Sequence, residues 1–526
     1  MIKFLKFLSL LVFIAAVLAT RLPRAGTDSL NSDEVLWNDR SYDFLNALIT
    51  KNYVKTFQKY HPGVPLMWEF SLTSLAMSKL NSTPVENVFK SIEKLHITTQ
   101  LVLDIWLLFL CVIILFFLSK ALGNWWIAVF TLIAFNVEPF YLGNSRILHH
   151  DAQISVYVLL ALTIVYLNVS KKFNFFQVIL ASFFLALAAL EKSLFIGAFV
   201  FSFFVGGFLA LLTQGWKRTV YFLLTLLVFS VGFYIALFPA LWVAPLDTLK
   251  KIFTQSYEVG DEEGHGQIFF GVATRDPGFF FYPVLLVLKS SYFILIGTIV
   301  FFCDLLFKLV KGIKNKGTLK LSKIPFYLYI TIFYLGYFVV IQYFSKKVDR
   351  YIVSLYPFLG FAAVLGWYEF IKKKWYLVVV PLFLFVYSVA IPLFNTFPNY
   401  LLYTSPLFVN ADVANEIVGQ KLFGIGVFDL RDKLVARYGE NAKIASSDFG
   451  PLATIYPNGT VTNVLVTHPN DYKVMVLGPN KPFPPSLKNE PTLIFYKVDS
   501  VYLNGLEFWR IYQKKVLTID QIKKYE

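Results

Sequence analysis

The run Asn31-Ser32-Asp33-Glu34 sets two carboxylates side by side, shortly after an apolar segment from Phe4 to Ala19. A carboxylate held near its substrate can take a proton from a nucleophile as a general base. Further along stand Tyr60-His61-Pro62-Gly63 and Ser145-Arg146-Ile147-Leu148-His149-His150-Asp151. The planar fork of Arg146 can make two charge-assisted bonds to the oxygens of a phosphate. Charge beside lipid is costly and tends to be functional. Each residue also has a plainer reading. The acid pair can cap or solvate the start of a loop helix, and Arg146 can snorkel from a helix end. Asp151 can cap the helix it begins. Adjacent His149 and His150 beside Asp151 raise the question of a metal, but neighbouring histidines do not make a ligand set. No metal is assigned, and metal dependence stays open.

The elements that must position these residues are membrane helices. Of 526 residues, 57% are hydrophobic and only 15% are charged. That balance is too apolar for a soluble protein, and the apolar residues come in runs. Runs of about 20 residues cross a bilayer. Spans are expected near 3–20, 99–118, 125–143, 152–169, 174–190, 193–213, 219–242, 280–310, 325–344, 351–370 and 376–395, about eleven in all. Glu191-Lys192 interrupts the long run 174–213 and is expected at an outer turn. Glu138-Pro139 lies near the outer end of the third span and receives no chemistry. Phe4–Ala19 has the basic flank of a signal peptide in Lys3 and Lys6, but no clean small-residue cleavage site follows, so it is expected to stay as the first helix.

Lysine asymmetry orients the chain. With the N-terminus cytoplasmic, Lys120, Lys171-Lys172, Lys217-Arg218, the cluster from Lys311 to Lys323 and Lys372-Lys373-Lys374 fall on internal loops. Loops 21–98, 144–151, 191–192, 243–279 and 345–350 are then external. Lys346, Lys347 and Arg350 run against the rule, which suggests either contact with a phosphate or a seat among anionic headgroups. The net charge of +15 is spread over inner loops, so no nucleic-acid partner is inferred. Cys111 and Cys303 both fall in expected helices and read as inert thiols.

Two parts are expected: a transmembrane domain over 1–395, carrying the external catalytic loop 21–98, and an external α/β domain over 396–526. In the loop, residues 39–60 read as an amphipathic helix through Tyr42, Leu45, Ile49, Tyr53 and Phe57, with a second over 246–258. In the tail, strand-like pieces occur at 442–445, 473–477, 492–496 and 508–512, and helices are expected between Ala411 and Arg437. The fold class is therefore mostly α, a polytopic membrane protein with a small external α/β domain. The chain shows neither a repeat of 20–50 residues nor an inverted duplication of its helices.

The order of motifs resembles the superfamily of protein O-mannosyltransferases and aminoarabinose transferases (family 39-like), with the glycosyltransferase-C fold. The resemblance is carried by Asp33-Glu34 after the first helix, His61-Pro62 in the same loop, and Ser145-Arg146 running to Asp151. It continues in Ala188-Ala189-Leu190-Glu191-Lys192, where the family pattern ends in Thr-Lys, and in Gly264-His265-Gly266 followed by Tyr282-Pro283-Val284. Arg350-Tyr351-Ile352-Val353-Ser354-Leu355-Tyr356-Pro357, Pro398-Asn399-Tyr400 and Asn504-Gly505-Leu506-Glu507-Phe508 complete it. It spans nearly the whole chain, although each motif alone is weak.

The resemblance implies an inverting, mannosyltransferase-like enzyme of the cytoplasmic membrane. It would move a sugar from a polyprenyl-phosphate donor to a protein Ser/Thr, a lipid or a surface glycan at the outer face. The lipid-linked sugar is a substrate, so no cofactor is required. The resemblance implies Asp33 as the base, Glu34 orienting the site or the acceptor, and Asp151 as a second acid. Arg146 is the first candidate for the donor phosphate, with Lys192 and Arg350 as lesser ones. His61 would shape the loop or touch the donor, and His265 would lie in a loop over the cavity. A transporter or lipid-linked-sugar flippase is the rival reading. It would place acids at the bilayer midplane on broken, repeated helices. Sugar, acceptor, carrier length, oligomeric state and the role of the tail are not legible in the sequence.

Overall fold

The computed structural model describes residues 1–261, 266–314, 324–372, 374–407, 410–490 and 492–516. His265, Lys373 and the lysine cluster from residue 315 onward lie outside the described residues. Among the described residues, nine helices are long and apolar enough to cross a membrane. A bent pair and one shorter apolar helix, Phe175–Glu191, stand at two further expected positions. The nine include α1 (Ile2–Arg21), whose 20 residues reach about 30 Å, the thickness of the hydrocarbon layer. Only Phe13, Val17 and Arg21 of α1 are buried, so it lies at the rim of the bundle.

The external loop folds into α2 (Ser32–Ile49), α3 (Val64–Asn81) and α4 (Val85–Lys90), and α5 (Ile92–Leu122) enters the bundle. The amphipathic helix expected over 39–60 in fact starts at the acid pair and ends at Ile49. Asn31 caps it by accepting the Asp33 N–H at 3.0 Å, and two acids in the first turn suit the positive end of the helix. Its buried face runs through Trp37, Ser41, Phe44 and Leu45 rather than Ile49, Tyr53 and Phe57. The helix expected at 246–258 is present as Pro245–Asp261.

The third span is broken. α6 (Trp125–Asn136) and α7 (Pro139–Ser145) meet at 71°. Proline lacks an N–H and disfavours helical backbone before it, and Glu138 is accordingly extended. The span expected at 280–310 also divides, into Phe281–Lys289 and Tyr292–Lys314. The two breaks are stitched together: the buried Glu138 carboxylate accepts the Ser291 N–H at 2.6 Å and its hydroxyl at 2.7 Å. α8 (His150–Ser170) is buried along nearly its whole length and packs between α5 and α9 (Phe175–Glu191), which makes it the centre of the bundle.

The tail carries a mixed five-stranded sheet. With the loop hairpin β1 (Gln267–Phe269) and β2 (Val272–Thr274) counted first, its strands are β3 (Lys443–Ser446), β4 (Thr460–Asn463), β5 (Val474–Leu477), β6 (Leu493–Leu503) and β7 (Leu506–Val516), in the order β4-β3-β5-β7-β6. β3 runs parallel to β4 and β5; β7 is antiparallel to β5 and β6. Asn504-Gly505, both at positive φ, turns the β6–β7 hairpin, as a two-residue turn requires. Sequence periodicity missed the short, half-buried β4.

The tail is seated on the chain that follows α1. Leu30 donates to the Gly424 carbonyl at 3.3 Å and Gly426 to that of Asp28 at 2.9 Å. Gly424 stands at φ +59, and a Cβ there would come within 1.8 Å of the Leu30 oxygen. Loop 21–98 and the tail therefore occupy one end of the bundle.

Candidate active site

At that end lies a cleft of about 300 Å³ lined by Asp33, Arg40, Tyr60, His61, His149, Lys192, Lys346, Arg350 and Phe423, among others. Five segments of the membrane part meet there, and the tail adds Phe423. α2 contributes Asp33, Leu36, Trp37 and Arg40, which recur at helical spacing along one stripe. The turn before α3 brings Tyr60 and His61. It is held by Gly63, at φ +55, whose N–H reaches the Glu191 carbonyl at 3.3 Å. A Cβ on Gly63 would sit 2.3 Å from the Trp37 ring. The start of α8 brings His149 and His150, the end of α9 leads to Lys192, and the start of the span Asp349–Ile371 supplies Arg350.

The charges form one network. Arg350 reaches Asp33 at 2.7 Å and Asp151 at 3.6 Å. His149 lies between the same two acids, its Nδ1 2.9 Å from Asp151 and its Nε2 3.7 Å from Asp33. Lys192 pairs with Asp151 at 3.1 Å and stands 4.0 Å over the Tyr351 ring. Burial works against ionisation of Asp33, but Arg350 and His149 outweigh it and hold the carboxyl at about 2. Burial and the cations Lys192, Lys346 and Arg350 push His61 well below the usual histidine range, so its imidazole is neutral. His61 Nδ1 is buried without a hydrogen-bond partner. The cleft thus offers an ionised carboxylate, a neutral imidazole and several cations, which together suit an anionic ligand beside a nucleophile that must lose a proton.

Two expected site residues lie elsewhere. Glu34 points into the core, buried, and pairs with His96. One helical step turns a side chain by about 100°, and from Asp33 that step carries Glu34 off the stripe and into the core. Arg146 is buried and fully engaged in structure. Its Nε meets Asp28 at 2.9 Å, and its terminal nitrogens donate to the carbonyls of Thr20, Arg21, Pro23 and Arg24. Arg146 therefore clamps the chain where it leaves α1, and no donor faces the cleft. Asp151 lies just behind the cleft, where it fixes Lys192, His149 and Arg350; the α8 cap position is His149. His149 and His150 turn to different carboxylates, Asp151 and Glu191. The sequence reading did not single out Arg40, Lys59, Tyr60 or Phe423. Arg40 was within reach, since it stands two helical turns after Asp33; nothing local marks Phe423.

An apolar groove of about 200 Å³ opens between the apolar helices Ser193–Gln214 and Phe326–Tyr343. It begins at Leu194, two residues after Lys192, and is lined by Phe195, Phe201, Gly336 and Tyr337. The Tyr337 hydroxyl donates to the Tyr351 carbonyl at 2.9 Å, which ties the groove to the wall of the polar cleft.

No family model matches the chain, and no curated protein matches it in sequence. Among solved structures, ArnT from Cupriavidus metallidurans in the apo state aligns over 95% of this chain and 97% of its own, with a TM-score of 0.52 at 13% identity. ArnT bound to undecaprenyl phosphate aligns over the same shares with a TM-score of 0.49 at 11% identity. The Archaeoglobus fulgidus oligosaccharyltransferase tethered with an acceptor peptide aligns over 90% of this chain and 69% of its own, with a TM-score of 0.47 at 12% identity. The likeness to apo ArnT shows a shared fold, the glycosyltransferase-C fold.

Proposed function

We propose that this protein is an inverting glycosyltransferase that moves a sugar from a polyprenyl-phosphate donor to an acceptor at the outer face of the membrane. The observation that carries the proposal is the nearness of two unlike cavities: a cation-lined cleft holding Asp33 and Lys192, and an apolar groove that begins two residues later, at Leu194. A phosphate with an isoprenoid tail has that division of polarity. The shared fold agrees with this reading.

In the proposed reaction the donor phosphate lies near Lys192 and Arg350, and its tail follows the groove. The acceptor nucleophile donates a hydrogen bond to Asp33. It attacks the anomeric carbon from the side opposite the phosphate. The carbon–oxygen bond to phosphate breaks, and the polyprenyl phosphate leaves with charge that the two cations stabilise. The proton passes to Asp33. Paired with Arg350, Asp33 is a weak base. A donor phosphate that draws Arg350 toward itself strengthens it, so donor binding prepares the base. Asp151 acts as a positioning residue, holding Lys192 and His149 in place, and neutral His61 is a hydrogen-bonding partner for the bound donor. In this reading the N-terminus is cytoplasmic and the tail is external. The acids gather at one end of the bundle, which disfavours a transporter that works from the midplane.

The test is a panel of radiolabelled polyprenyl-phosphate sugars incubated with the purified protein and a membrane extract. Label should leave the donor and appear in a second molecule. Transbilayer movement of intact donor with no transfer would instead establish the flippase reading.

A further inference from the structure

A second groove, of about 650 Å³, runs between the β1–β2 hairpin and the tail domain, and it belongs to none of the parts assigned above. It reaches the polar cleft at Phe423, which lines both. Ser32, next to Asp33, stands at its edge and is fixed there by a hydrogen bond to Asp448 at 2.9 Å. Phe423 holds φ +44, a left-handed conformation that a bulky residue rarely adopts and that clusters at working sites. Its ring lies under the Arg350 guanidinium, 5.5 Å away.

The lining mixes apolar side chains with polar ones, and its exposed charge is positive. Arg275 and Lys481 are exposed and make no ion pair among the described residues. Asp448, an acid in the wall, is turned inward onto Ser32 and the Gly424 N–H. Gln267 buries both amide atoms without a partner, a donor and an acceptor together. Paired donors and acceptors suit sugar hydroxyls, an aromatic ring suits the apolar face of a sugar, and spare cations suit carboxylate or phosphate.

We infer that this groove binds the acceptor and that the acceptor is an acidic glycan. The inference rests on the transferase reading and adds the acceptor class. A glycan lying across Gln267, Arg275 and Lys481 would bring a hydroxyl past Phe423 to Asp33.

The test uses the full chain in lipid nanodiscs and fluorescently end-labelled probes: oligogalacturonate, neutral maltohexaose and a Ser/Thr-rich peptide. Oligogalacturonate should bind, weaken as salt rises, and bind at least about tenfold more tightly than maltohexaose or the peptide. The double variant Arg275→Ala/Lys481→Ala should lose about tenfold in that affinity. Both side chains are exposed, so the variant should fold. Undecaprenyl phosphate binding, measured on the same samples, reads the donor cleft separately and should not change. Equal binding of acidic and neutral probes, preference for the peptide, or an unaffected double variant would overturn the inference while leaving the donor reading in place. Failure of wild type to bind undecaprenyl phosphate would instead remove the transferase reading on which it rests.

Discussion

Asp33 and Arg146 carry charges of opposite sign, and they test opposite roles. Asp33 faces the cleft, with its carboxyl held at about 2 by Arg350 and His149 against the effect of burial. A carboxyl depressed in the fold is ionised well below neutrality. The stability from its pairing is fully present above the unfolded value of about 3.9 and is lost as pH falls toward about 2. The acid limb of kcat/KM for the free enzyme should therefore show no contribution from Asp33 above about pH 5, which a pH–rate profile would reveal. Asp33→Asn keeps the size and removes the basicity. Turnover should fall by about 10² or more while undecaprenyl phosphate binding holds, and single-turnover rates with parallel binding would show otherwise. Arg146→Ala should act on stability. It strands Asp28, whose carboxyl burial already raises despite Arg146 beside it, and leaves four carbonyls without their donor. A loss of about 3–5 kcal/mol is expected, seen as a lower thermal midpoint, with unchanged donor affinity in whatever material remains folded.

At the scale of elements, the proposed donor site is a junction between an α9 end and two spans. Gly336 lines the apolar groove and has open space where a Cβ would stand. Gly336→Leu should fill the groove without a clash. Undecaprenyl phosphate affinity should drop by about tenfold or more, while a short-chain phosphate analogue binds as before. An equal effect on both ligands would place the lipid tail elsewhere. Gly63 is the opposite case, because its positive φ and the nearby Trp37 ring leave no room. Gly63→Ala should cost about 1–3 kcal/mol of stability and disorder the His61 turn, so melting temperature and donor binding should fall together.

For the whole molecule, the binding of the tail to the segment after α1 puts every proposed site component at one end of the bundle. Ion pairs between Arg24 and Asp429 and between Arg431 and Glu93 join loop to tail across that end. Single cysteines placed in loop 21–98 and in the tail of a cysteine-free chain should therefore react with an impermeant reagent from the same side, and lysine asymmetry makes that side the outer one. Reaction of the two positions from opposite sides would break the arrangement itself. Reaction of both from the cytoplasm would reverse only the orientation.

The membrane class, the places of the spans and a small sheet in the last part of the chain were legible in the sequence, because a bilayer demands long apolar runs and a sheet demands short ones. Asp33 and Arg350 were legible as candidates because charge beside lipid is unusual, and His61 and Lys192 because their motifs resemble those of a known family. What the sequence left open was direction. Asp33 and Glu34 differ by one step along a helix, and that step sends one to the cleft and the other to His96. Arg146 looked like an anion site because its fork suits phosphate, but five oxygens of this chain occupy it. Only tertiary packing decides which partner a guanidinium meets, since those partners come from distant segments. The same reason hides Phe423, a tail residue with no local signature that long-range docking carries to the wall of the cleft.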